Sequence, residues 1–101
     1  MIVIHARITT EPGTVEALRS AVAAMEQASR AEAGCLAYVF AAAVSDPNTL
    51  HITEEWRDVE ALKAHFQTPH MAAFQGAMRK HPPKGMEVKA FEAKEVPFPT
   101  V

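Results

Sequence analysis

The stretch Glu54-Glu55-Trp56-Arg57-Asp58-Val59-Glu60-Ala61-Leu62-Lys63-Ala64-His65-Phe66-Gln67-Thr68-Pro69-His70-Met71-Ala72-Ala73-Phe74 decides how this chain folds. It opens on the end of a predicted strand, Leu50 to Trp56, rich in β-forming residues. Asp58 offers an N-cap, and Val59, Leu62 and Phe66 follow at helical spacing. Thr68-Pro69 is a second start signal. Its hydroxyl can cap a helix, and proline at the first helical position gives up no hydrogen bond. One segment thus supplies a strand end, a helix, a break and another helix. It also gathers Glu54, Trp56, His65 and His70, side chains suited to chemistry.

Working outward toward the amino end, Ile2 to Ile8 alternates as a first strand, with Ile2, Ile4, Ala6 and Ile8 on one face. Thr9-Thr10 and Glu11-Pro12-Gly13 read as a helix start with a capping hydroxyl and an early carboxylate. Val15, Leu18, Val22 and Met25 then form an apolar helical stripe, and Gly34 is the expected stop. Cys35 to Val44 is a second strand, apolar on both faces: Leu36, Tyr38, Phe40 and Ala42 on one, Cys35, Ala37, Val39, Ala41 and Ala43 on the other. Such a strand must be covered on both sides. Two helices in so short a chain cover one side, so the other is expected to meet a second subunit.

Ser45-Asp46-Pro47-Asn48 is a predicted turn into the third strand at Thr49. Beyond the helical stretch, His81-Pro82-Pro83-Lys84-Gly85 breaks the chain and Met86 to Lys94 reads as a fourth strand. The order of strand, helix, strand, strand, helix, strand predicts an α+β, ferredoxin-like βαββαβ protomer, its antiparallel sheet carrying the helices on one face. We place this domain at residues 1–95 and an extended, proline-broken tail at 96–101.

The 101 residues suit one domain. A formal net charge of -2 without a basic run argues against nucleic acid as partner. No apolar run approaches the roughly 20 residues of a membrane span. The amino end, with His5 and Arg7 inside an alternating strand, does not resemble a signal peptide. One cysteine excludes an intrachain disulfide and fits a reducing compartment. A cytoplasmic protein is expected.

Four scattered glycines make neither a phosphate loop nor a dinucleotide fingerprint. There is no nucleophile elbow, no His-Glu-x-x-His and no cysteine pair. No cofactor or metal is therefore expected. His65 suits a general base, since imidazole titrates near neutral pH; the competing reading is a partly buried histidine capping a helix end. Glu54 shares a strand face with Leu50, Ile52 and Trp56. It can pair with His65 either for catalysis or to pin the helix to the sheet. His70 lies five residues beyond His65 and reads as a cap or surface residue unless the Thr68-Pro69 break makes the two converge. Tyr38 and Trp56, among apolar strand neighbours, read as core or cavity wall rather than as reactive groups.

Glu54-x-Trp56 followed by Ala64-His65-x-Gln67-Thr68-Pro69-His70-Met71 resembles the antibiotic biosynthesis monooxygenase family, above all its small quinol-monooxygenase-like members. Glu11-Pro12-Gly13, Gly34-Cys35 and Tyr38 carry the likeness further, from about Ile2 to Ala93. The resemblance implies a dimeric α+β barrel joined through the sheets. It also implies cofactor-independent oxidation of a quinol or polycyclic phenol by O2, with His65 as base, Glu54 as its orienting partner, and Tyr38, Trp56, His70 and Phe74 around the substrate. Haem-degrading relatives carry an asparagine, a tryptophan and a histidine where this chain has residues near Ala6, His65 and Gln75, which speaks against haem chemistry. Two other functions stay open: isomerisation of a phosphorylated, sugar-like signal molecule, and a non-catalytic binding or stress-response module.

Overall fold

A computed structural model describes residues 1–100, and alternation along the strands sets the architecture. The elements are β1 (Ile2–Thr9), α1 (Thr14–Arg30), β2 (Cys35–Ala43), β3 (Asp46–Trp56), α2 (Val59–His65), α3 (Pro69–Lys80) and β4 (Gly85–Glu92). The strands form one sheet in the order β2-β3-β1-β4, every neighbouring pair antiparallel. This is the expected ferredoxin-like α+β fold. Residues 93–100 carry neither helix nor strand, and Val101, the last residue of the expected tail, lies outside the described residues.

Directly opposed residues on antiparallel strands share a face, so the register shows what the helices cover. Ile4 lies opposite Glu54, Ala6 opposite Ile52 and Ile8 opposite Leu50; Tyr38 faces Glu54 from the far side. Ile4, Tyr38 and Trp56 pack with Met25 of α1, Ala61 of α2 and Phe74 of α3 in one cluster. A second cluster joins Ala6, Ile8, Leu50 and Ile52. All three helices therefore lie on one side. Their cover stops short of β4, where Met86 and Val88, on the helix-side face by register, are each 55% exposed.

Several local expectations change. Leu36 is skipped in the β2–β3 pairing, so Cys35 pairs with Trp56 and Tyr38 with Glu54. That bulge puts Cys35 rather than Leu36 on the core side, and Leu36 is exposed. Thr10 does not cap α1; its hydroxyl donates to the Asn48 carbonyl at 2.7 Å and ties β1 to β3. The N-cap of α1 is Gly13, which contributes no side chain. The α1 helix ends at Arg30, before Gly34. Gly34 has φ +83°, and a Cβ there would stand 2.7 Å from Ala61 Cβ, so its bare backbone allows α2 to approach. The turn after β2 falls at Val44-Ser45, with Asp46 already in β3. Asp46 holds the irregular start of β3 by accepting from Asn48 N and Thr49 Oγ1.

The predicted caps on α2 and α3 form as drawn. Asp58 Oδ1 accepts from Ala61 N at 2.9 Å. Thr68 Oγ1 accepts from Met71 N and donates to the His65 carbonyl, so one hydroxyl joins the end of α2 to the start of α3. The buried side of α2 is Ala61 and His65, four residues apart; Val59 and Phe66 of the expected stripe are about half exposed. The outer edge of β2 is also tied down. Phe40 N donates to Glu26 Oε2, and Arg30 Nε donates to the Tyr38 carbonyl, which engages backbone groups that would otherwise invite another strand.

Candidate functional site

Strand β3 alternates Leu50, Ile52, Glu54 and Trp56 toward the helices, which places a carboxylate in an otherwise apolar row. Glu54 is buried, and its Oε1 accepts from Trp56 Nε1 at 2.9 Å, a bond between residues two apart on one strand face. Burial pushes the Glu54 carboxyl above its ordinary value; the Trp56 N–H and the nearby His65 partly oppose this. Tyr38, directly across from Glu54, has its phenol held well above its usual range, by burial first and by the Glu54 charge second. It therefore stays neutral around pH 7.

Between sheet and helices lies a cavity of about 560 Å³, within the range that holds a small aromatic molecule. Ile4, Tyr38, Ile52 and Glu54 form its floor, and Leu62, Phe66, Met71, Phe74 and Met78 form its roof. Gln75 and Arg79 add polar groups on the α3 side, while Met86 and Val88 line the side left uncovered by helices. The walls are chiefly apolar, and Glu54 is the only carboxylate among the lining residues.

The expected site residues divide into two groups. Glu54, Tyr38 and Phe74 border the cavity, whereas Trp56, His65 and His70 do not. His65 is fully buried behind that wall, its ring centroid 4.7 Å from Trp56 and 5.4 Å from Tyr38. The expected Glu54–His65 hydrogen bond is replaced by two others. Glu54 takes Trp56, and His65 Nδ1 lies 2.6 Å from Glu32 Oε2. His70 Nε2 reaches the same oxygen at 2.7 Å, so the break at Thr68-Pro69 does make the two histidines converge. A carboxylate only accepts, so both ring nitrogens donate to it. The cause is the Gly34 approach: with α2 close to the loop after α1, Glu32 reaches the end of α2.

Glu32, Gln75 and Arg79 are the site residues that sequence reasoning missed. Glu32 meets its partners 33 and 38 residues away, and no spacing rule connects them. Gln75 and Arg79 lie four apart, one helical turn, and one residue and five residues beyond Phe74. That helical spacing was the available signal.

Residues 1–77 match the family model described as antibiotic biosynthesis monooxygenase. The chain belongs to that family. The matched span takes in Glu32, Tyr38, Glu54, His65, His70 and Phe74, whereas Met78, Arg79, Met86 and Val88 of the cavity lining follow it. YcnE of Bacillus subtilis, provisionally named a monooxygenase, is 38% identical over 80 residues, covering 79% of this chain and 81% of that protein. Escherichia coli YgiN, named a probable quinol monooxygenase, is 33% identical over 89 residues, covering 78% and 86%. The crystal structure of a Deinococcus radiodurans protein provisionally placed in the same family superposes with a TM-score of 0.89 at 26% identity, over all of both chains. Among the described residues no helix is long and apolar enough to cross a membrane.

Proposed function

We propose that this family member is an oxidoreductase that uses O2 to oxidise a quinol or polycyclic phenol seated in the cavity, with Glu54 as the group that takes the phenolic proton. One observation carries the reading: a single buried carboxylate, its pKa raised by burial, stands in a mostly apolar cavity of aromatic size. A base works best when its pKa approaches the pH at which it operates. The names given to YcnE and YgiN support the same class of reaction.

The chemistry asks little of the protein. Glu54 accepts the hydroxyl proton, and the resulting anion passes an electron to O2. Recombination forms a carbon–oxygen bond to a peroxide at the ring. Loss of water, with a proton returned from Glu54, breaks the O–O bond and leaves a new carbonyl. For a quinol the balance is quinol plus O2 giving hydroxyquinone plus water. Phe74 and Tyr38 orient the ring, and the apolar walls keep solvent from the anion. His65 then holds the wall from behind, through Trp56 and Glu32, and the role of base expected of it passes to Glu54.

Dimerisation through the sheet belongs to the same proposal. The face turned away from the helices carries Val39 and Phe91, each more than two-fifths exposed. Isomerisation of a phosphorylated molecule finds less support, since Arg79 is the only cationic residue lining the cavity. Turnover of a quinol panel under ¹⁸O2, read by product mass, tests the reading. One ¹⁸O atom per product is expected. Binding without oxygen uptake would favour the non-catalytic module.

A further inference from the structure

We propose that Glu32, His65 and His70 form a binding site for one divalent transition-metal ion of the zinc class, separate from the substrate cavity. Their donor atoms all lie within 4.8 Å of one another, with both ring nitrogens already against the same carboxylate oxygen. A tetrahedral ion with bonds of about 2.0–2.2 Å sets its ligands about 3.3–3.5 Å apart. The observed 2.6 and 2.7 Å therefore need to widen by less than about 1 Å. Replacing two hydrogen bonds by one cation is a small movement of groups that already point at a common centre.

The surroundings favour ligation. The His65 side chain is fully buried, and the Glu32 and His70 side chains are 13% and 22% exposed, so most of their rotamer freedom is already spent. His70, on the first turn of α3, forms the more open side through which an ion enters. Two imidazoles and one carboxylate without a thiolate suit zinc, cobalt, nickel or copper, not magnesium or calcium, which take oxygen ligands. Cys35 is not among the groups whose donor atoms lie together here. Water or the second Glu32 oxygen completes the shell. Ligation at Nδ1 leaves the His65 ring proton on Nε2, an atom buried without a hydrogen-bond partner among the described residues.

The three ligands come from the loop after α1, the last residue of α2 and the second residue of α3. An ion would cross-link these segments behind Tyr38 and Trp56 and stiffen the cavity wall without touching substrate.

The test uses the whole chain, stripped with chelator and titrated with ZnCl2 by calorimetry, with melting curves alongside. One ion per chain is expected, with a melting point raised by roughly 10 °C at a hundredfold excess over Kd. His70→Ala should weaken binding at least tenfold and lose most of that rise, while His81→Ala, an exposed residue outside both the site and the far sheet face, should retain both. Because His70→Ala also removes a hydrogen bond, a second measurement leaves the protein unmutated. Cobalt-loaded protein should show paramagnetically shifted proton resonances from two imidazoles. No zinc uptake, uptake indifferent to His70→Ala, or no shifted imidazoles would each overturn the site and leave Glu32 as a hydrogen-bonded clamp alone.

Discussion

At the scale of single residues, the molecule turns on the different burial of two titratable groups. Glu54 faces the cavity with a raised pKa, and His65 stands behind the wall with its Nδ1 on Glu32. The raised value has a consequence for stability. The folded chain holds the Glu54 proton over a pH interval in which the unfolded chain, near 4.5, has released it. That contribution is complete below about pH 4.5 and is lost as pH rises through the folded-state value. Glu54→Gln keeps the shape and can still accept from Trp56 Nε1, but it carries no charge. Its melting point should therefore exceed the parent's at pH 7, and the two should converge as pH falls toward 4.5. Differential scanning calorimetry across pH reads this directly; a melting point at pH 7 below the parent's would contradict it. Glu54 and its apolar neighbours were legible in the sequence, because a strand shows its faces every second residue. The partner of His65 was not, because Glu32 is brought to it only by tertiary contact.

At the scale of elements, the caps were readable and the packed faces less so. Asp58 and Thr68-Pro69 act within three residues of themselves, and their hydrogen bonds form as the local chemistry dictates. Helix α2 has only seven residues, too few for a periodic stripe to fix its orientation. Its buried side is set by the close approach at Gly34, which admits Ala61 and carries His65 inward. Leu36 slipped for a similar reason: a bulge adds one residue, and every assignment on its N-terminal side changes face. Gly34→Ala should consequently be costly, since it imposes both a positive φ and a contact of 2.7 Å. A loss of about 1–3 kcal/mol is expected, measured by urea unfolding. Gly13→Ala offers a comparison, with a similar φ but nothing within 4 Å, and should cost less. Equal losses would show that the approach of α2 is not what requires Gly34.

At the scale of the whole molecule, the order of elements disclosed the fold, and the sheet leaves two apolar areas uncovered. One is the helix-side edge at Met86 and Val88, and the other is the far face with Val39 and Phe91. The far face also carries His5, His51 and the exposed Arg7–Glu87 ion pair, so it is mixed rather than oily. Pairing two such faces should bury roughly 2,000 Å² or more, the range of obligate dimers. Sedimentation equilibrium at micromolar concentration should return twice 11.0 kDa. A monomer there would remove the shared-barrel arrangement and leave the cavity to one chain.

The cavity and its carboxylate are the centre of the account, and oxygen uptake by paired variants tests them most directly. With a quinol that the parent consumes, Glu54→Gln should lower the rate by about 10² to 10⁴, with its fold intact by melting. His65→Gln should lower the melting point, because a buried bond to Glu32 is disturbed, yet turn over within a few-fold of the parent. The opposite pattern, with Glu54→Gln at the parent rate and His65→Gln folded but inactive, would contradict the assignment of Glu54 as the base.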